Sequence, residues 1–166
     1  MKLMILDGNS IINRAFYGIR MLNASDGTPT NAVYGFLSTF RRVFDLAQPQ
    51  AVCVAFDVHA PTFRHEQYAL YKAQRKPMPE ELAVQMPLLK QTLDYMGVRR
   101  LELAGWEADD ILGTLAAACE AAGGTTLLAT GDRDSLQLVD DATTVLLATN
   151  KETIPMDPAA IREKYG

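Results

Sequence analysis

Short apolar runs that end beside acids set the strongest limit on what this chain can become. Leu3–Leu6 runs into Asp7, and Val54-Ala55-Phe56 into Asp57. Leu127-Leu128-Ala129-Thr130-Gly131 leads to Asp132 and Asp134, and Val98–Leu103 is followed by Glu107, Asp109 and Asp110. The runs Leu3–Leu6, Ala51–Phe56, Val98–Leu103, Thr125–Ala129 and Thr143–Ala148 are mostly continuous and rich in Val, Ile and Leu. Strands buried on both faces of a parallel sheet have that pattern. Helical patterns separate them. Asn31–Leu46 carries Val33, Phe36, Leu37, Phe40 and Phe44 at helical spacing, with Thr30 or Asn31 as N-cap. Pro79–Met96 opens on Pro, Glu80 and Glu81 and ends at Gly97, and Glu107–Ala122 stops at Gly123-Gly124. The alternation predicts an α/β domain with right-handed crossovers.

At 166 residues, 48% hydrophobic and 22% charged, the chain suits one globular domain. It has no apolar stretch of about 18 residues to span a membrane. Its first apolar run stops after four residues at Asp7, which reads as a strand and not a signal peptide. Cys53 and Cys119 lie in apolar runs with no Cys/His cluster around them, so they read as reduced core residues in a cytoplasmic protein, not as zinc ligands. No Gly-x-Gly-x-x-Gly follows the first strand, which argues against a dehydrogenase.

In open parallel sheets, functional groups gather beyond the C-terminal ends of the strands. Here four strand ends send seven carboxylates to one rim: Asp7, Asp57, Glu107, Asp109, Asp110, Asp132 and Asp134. A single Asp after a strand is usually a turn residue or a cap, and acids in a first helical turn suit the helix dipole. Neither explanation covers four strand ends together. Carboxylates packed this way raise each other's pKa values unless a cation intervenes. Oxygen ligands without His or Cys select Mg²⁺ or Mn²⁺, and a pair of such ions suits phosphodiester hydrolysis. The formal net charge of −4 looks wrong for a nucleic-acid binder. Setting the seven acids aside leaves 16 basic against 13 acidic residues.

The segment Val58–Met78 has no clear periodicity, and long connections of this kind are usually functional or disordered. Within it Phe63, Arg64, Tyr68, Tyr71, Lys72, Arg75 and Lys76 interleave rings with cations. Single-stranded nucleic acid is bound that way, with rings on bases and cations on phosphates. The bland alternative is a solvated amphipathic helix. Arg14, Phe16 and Tyr17 repeat the theme near Asp7, though Arg14 is equally suited to pairing with an acid. His59 and His65 read as surface residues, and Trp106 as packing. Asp157-Pro158 opens a last helical pattern, Ala159–Tyr165, that has nothing after it to pack against, which suggests a chain cut before its domain ends.

Leu6-Asp7-Gly8-Asn9-Ser10, Asn13-Arg14-Ala15-Phe16-Tyr17, Pro29–Phe36, Ala55-Phe56-Asp57, Pro61–His65, Tyr71-Lys72-Ala73-Gln74-Arg75, Pro77–Leu82, Glu107–Ile111 and Thr130–Asp134 together resemble the 5′ nuclease domain of bacterial DNA polymerase I. Each motif alone is weak, but the set follows the family's order over nearly the whole chain. The resemblance implies a three-layer α/β/α PIN-like fold with a mostly parallel sheet. It implies 5′→3′ exonuclease and flap endonuclease activity on 5′ flaps, nicks and RNA-primer ends in replication and repair. The seven acids would serve two divalent metals, Mg²⁺ or Mn²⁺, with Asp7 and Asp109 at the chemistry. Residues of about 58–78 would form a helical arch in which Lys72 and Arg75 stabilise the phosphate. Arg14, Phe16, Tyr17, Arg64, Tyr71, Lys72, Arg75 and Lys76 would contact DNA. The family continues with a Gly-Asp-x-x-Asp-Asn motif and a helix-three-turn-helix. Residues 1–166 would then be the N-terminal metal-binding subdomain, with 157–166 leading into a C-terminal nuclease subdomain and a polymerase portion in the parent chain. A monomer in the cytoplasm, associated with the nucleoid, and weak activity in isolation are expected. The competing readings are a PIN-type ribonuclease and a non-catalytic module for branched DNA.

Overall fold

The computed structural model describes residues 1–58, 60–68, 76–149 and 151–166. The proposed arch residues Tyr71, Lys72 and Arg75 lie outside them, as does His59. Strands β1 (Lys2–Asp7), β2 (Ala51–Phe56), β3 (Arg99–Glu102), β4 (Thr125–Thr130), β5 (Thr143–Ala148) and β6 (Thr153–Met156) form one sheet in the order β3-β2-β1-β4-β5-β6. All pairings are parallel except β5 with β6. Pro155 suits β6 because an edge strand has one side free of ladder bonds.

Alternation along the strands sorts the core into two layers. Met4, Leu6, Val54, Phe56 and Leu146 pack on one face with α1 (Gly8–Gly18), α2 (Asn31–Ala47), α4 (Glu80–Ala83) and α5 (Gln85–Tyr95). Ile5, Cys53, Ala55, Val145 and Leu147 pack on the other with α6 (Ala108–Ala121) and α7 (Pro158–Tyr165). A short α3 (Phe63–Gln67) sits after β2. Burying side chains such as Phe36, Ile12 and Leu112 stabilises the layers by roughly 1.5–3 kcal/mol each. No helix among the described residues is long and apolar enough to cross a membrane.

The sequence predicts one helix over Pro79–Met96, but the structure breaks it at Val84. Pro87 has no N–H for the carbonyl of Ala83 and its ring crowds that group, so Pro87 is tolerated only in the first turn of a new helix. Gln85 then repairs a neighbour. Its Oε1 accepts from the backbone N–H of Ala32 at 2.8 Å and Val33 at 3.2 Å. Its Nε2 donates to Asn31 Oδ1 and the Glu81 carbonyl. The N-cap residue Thr30 makes no side-chain capping bond, so a residue of α5 caps α2.

The chain passes from one face of the sheet to the other between β3 and β4, and β1 and β4 are adjacent. In open parallel sheets a switch of that kind marks the C-terminal strand ends as the place where ligands bind.

Candidate metal centre

β3, β2, β1 and β4 are neighbours, so the four acid-bearing strand ends lie side by side. Asp7 is the last residue of β1 and continues the phase of Ile5, so its side chain faces the α6 layer. It is 5% exposed. Its Oδ1 accepts from Ser10 N–H at 3.0 Å, which caps α1, and its Oδ2 accepts from Thr130 Oγ1 at 3.0 Å. Burial pushes its carboxyl up to about 7 against the pull of these bonds, and the charges of Asp109 and Asp57 push the same way. Asp7 therefore sits in a field of like charge that reaches it from β2 and from the first turn of α6.

Asp57 is half-buried. Its N–H donates to Asn9 Oδ1 at 2.9 Å, and its Oδ1 accepts from Ala108 N–H at 2.7 Å. An acid after β2 thus receives a free N–H at the start of α6, where the dipole favours it. Glu107 precedes α6 and shares a capping box with Asp110, whose Oδ2 accepts from Glu107 N–H at 3.0 Å. Asp132 caps the 3-10 turn Arg133–Leu138 by accepting from Asp134 N–H at 2.9 Å. Both Asp132 and Asp134 are exposed.

Arg64, expected as a DNA contact, lies on these acids. It donates to Asp110 at 2.8 and 2.7 Å and stands 3.6 Å from Glu107. Among the described residues no three acids are close enough together to enclose an ion. The seven acids share the rim but do not form a closed cage in this conformation. Their chemistry still fits a hard divalent cation: every donor is oxygen, and Asp7 is held among like charges that such an ion would relieve.

Arg14 is exposed and reaches the β4 end, donating to the Gly131 carbonyl at 2.7 Å. A Cβ at residue 131 would meet Arg14 Nε, so any larger residue there would push the Arg14 side chain aside. Phe16 meets the exposed Tyr17 edge-on at 5.0 Å. Lys76 is exposed. His65 is half-buried, not on the surface, and its Nδ1 accepts from Thr62 N–H at 3.1 Å.

Asn9, Ser10 and Thr130 were not among the candidate site residues, yet they tie the rim together. Ser10 Oγ accepts from Gly131 N–H at 2.9 Å, and Thr130 Oγ1 accepts from Asp132 N–H at 3.0 Å. Their signal was their place beside acids in the motifs Asp7-Gly8-Asn9-Ser10 and Thr130-Gly131-Asp132.

The profile of the 5′-3′ exonuclease, N-terminal resolvase-like domain matches residues 2–166. The chain belongs to this family. The exonuclease-family domain is 39% identical over 170 residues to DNA polymerase I of Caldicellulosiruptor bescii, covering 100% of this chain and 20% of that protein. It is 41% identical to the thermostable DNA polymerase I of Thermus thermophilus, covering 99% and 19%. The domain thus spans about a fifth of the length of the curated relatives it matches. Among solved structures, the phage T5 5′-exonuclease with bound zinc superposes with a TM-score of 0.74 at 20% identity, covering 98% of this chain and 60% of that one. A complex of the phage T5 flap endonuclease with DNA and metal ions gives 0.73 at 20% identity, covering 99% and 61%. These likenesses bear out the PIN-like resolvase fold with its mostly parallel sheet.

Proposed function

We propose that this chain forms the carboxylate centre of a divalent-metal-dependent 5′→3′ exonuclease and structure-specific 5′ flap endonuclease. The observation that carries this reading is the burial of Asp7 among like charges, where four adjacent strands end. Family membership and the metal-bound T5 relatives support it.

Asp7, Asp57, Glu107, Asp109, Asp110, Asp132 and Asp134 hold two divalent ions, Mg²⁺ or Mn²⁺, which when bound activate a water and steady the leaving oxygen. The protein's own part is positioning. Thr130 and the start of α1 hold Asp7, and Asn9 and the start of α6 hold Asp57. Arg14, Phe16, Tyr17, Arg64, Tyr71 and Lys76 contact the 5′ strand, and Lys72 and Arg75 offset the charge that develops on the phosphate. Residues 1–166 act as the metal-binding subdomain, 58–78 as the arch, and 157–166 as the lead into a C-terminal nuclease subdomain of a longer polymerase. The protein is a monomer of the cytoplasm, works on DNA in the nucleoid, and cleaves weakly when limited to these residues.

Cleavage of a labelled 5′-flap DNA with Mn²⁺, beside Asp109→Ala, tests the reading. Cleavage that the substitution abolishes is expected. Cleavage of an unstructured RNA in preference to the flap would instead make the protein a PIN-type ribonuclease. Metal-independent flap binding without cleavage would make it a recognition module.

A further inference from the structure

The β3–α6 turn carries Trp106, the single tryptophan of the chain. The turn is tight. Trp106 N–H donates to the Leu103 carbonyl at 3.2 Å, and Gly105 adopts φ +85° between them. The Gly105 carbonyl accepts from Phe63 N–H at 3.2 Å, which fixes the start of α3 against the turn. The two rings meet with centroids 5.0 Å apart at 53°. Trp106 packs on Phe63, as its sequence reading expects, yet it is 47% exposed, and Leu103 beside it is 53% exposed.

An indole held half out of the core leaves much of its hydrophobic stabilisation unused. The position of the ring suggests why. Trp106 directly precedes Glu107, and the Arg64 guanidinium lies 4.5 Å over the Phe63 ring while it grips Asp110. A half-exposed ring, braced by a second ring and placed directly before an acid of the rim, suits single-stranded nucleic acid, whose unpaired bases offer stacking faces. In a duplex those faces are already stacked on each other.

We propose that Trp106, backed by Phe63, is a stacking platform for one unpaired base of the DNA strand that enters the carboxylate rim. The platform favours single-stranded 5′ ends over duplex. The proposal rests on the nuclease reading above.

Because Trp106 is the chain's single indole, its emission reports this site directly. The test titrates the protein with a 5′-flap DNA and with a blunt duplex of the same sequence, in Ca²⁺, following emission, iodide quenching and the anisotropy of labelled DNA. The flap should quench Trp106 and shield it from iodide, and the duplex should do neither. Trp106→Leu should weaken flap binding roughly tenfold, the scale of one lost base stack, and leave duplex binding unchanged. Trp106→Phe should restore most of the loss. Flap binding with unchanged emission and an unaffected Trp106→Leu would overturn the platform and leave the nuclease reading standing. Equal weakening of flap and duplex with a lowered melting temperature would make the turn structural only, and would overturn it as well. No DNA binding by the unaltered protein would overturn both readings.

Discussion

Arg64 grips Asp110 with both terminal nitrogens, at 2.8 and 2.7 Å, and in doing so ties α3 to the first turn of α6. The pair is half-screened from solvent, with side chains 32% and 19% exposed. It places a resident cation on two of the acids proposed to hold metal.

Arg64→Met should therefore act in two directions. Without metal it should destabilise the protein by about 1 kcal/mol, since the pair is neither fully exposed nor buried. With Mn²⁺ the variant should gain more thermal stability than the unaltered protein, because the ion no longer competes with a guanidinium. Melting curves over a Mn²⁺ titration check this. An equal gain in both proteins would show that Arg64 and the metal use different acids.

Asp7 makes stability depend on pH. Its folded pKa lies at about 7 against an ordinary value of 3.8, so the folded state holds a proton that the unfolded chain releases. The contribution is full below the ordinary value and is lost as pH rises to about 7. Asp7→Asn keeps the shape without the titration. Between pH 5 and 7.5, metal-free protein should lose on the order of 2 kcal/mol that the variant keeps. Urea unfolding at the two pH values measures it, and parallel behaviour of the two proteins would refute the shifted pKa.

Gln85 should matter to folding more than its surroundings advertise. It is fully buried, and its side chain satisfies two backbone N–H groups of α2. Gln85→Leu keeps the bulk but leaves both unpaired, at a cost of about 2–4 kcal/mol. A urea midpoint within error of the parent would contradict the capping role.

Gly131→Ala probes the reach of Arg14. The added Cβ displaces a flexible side chain and not backbone, so stability should change by less than about 1 kcal/mol. Flap affinity should fall because Arg14 leaves its place. Arg14→Ala should then add little in the Gly131→Ala background. Losses that simply add in anisotropy titrations would mean that the two residues act independently.

The sheet was legible because its strands are continuous apolar runs: Ala51–Phe56 and Thr143–Ala148 match β2 and β5 residue for residue. The rim followed from it, since the acids occupy the ends of four adjacent strands. Helix α1 was not legible. Gly8, Asn9 and Ser10 are poor helix formers, and tertiary packing of Ile11, Ile12 and Ala15 with the Asp7 cap overrides them. The break at Val84 was not legible because Glu80, Glu81 and Gly97 fit the two ends of a single helix, and Pro87 is compatible with a helix wherever it falls in a first turn. The grip of Arg64 on Asp110 was invisible because it joins residues 46 apart in sequence. The exposure of Trp106 follows from a turn geometry that no periodicity reveals.

The described chain is moored on both sides of residues 69–75. On one side, α3 is tied through Phe63 to the Gly105 carbonyl and through Arg64 to Asp110. On the other, the chain re-enters at α4 and α5, where Gln85 is locked into the start of α2. Both moorings belong to the sheet's helical layers. The described chain on either side is thus set by the foundations, like the posts of a doorway. Changes between the posts alone should leave both anchorages, and the stability they lend, as they are.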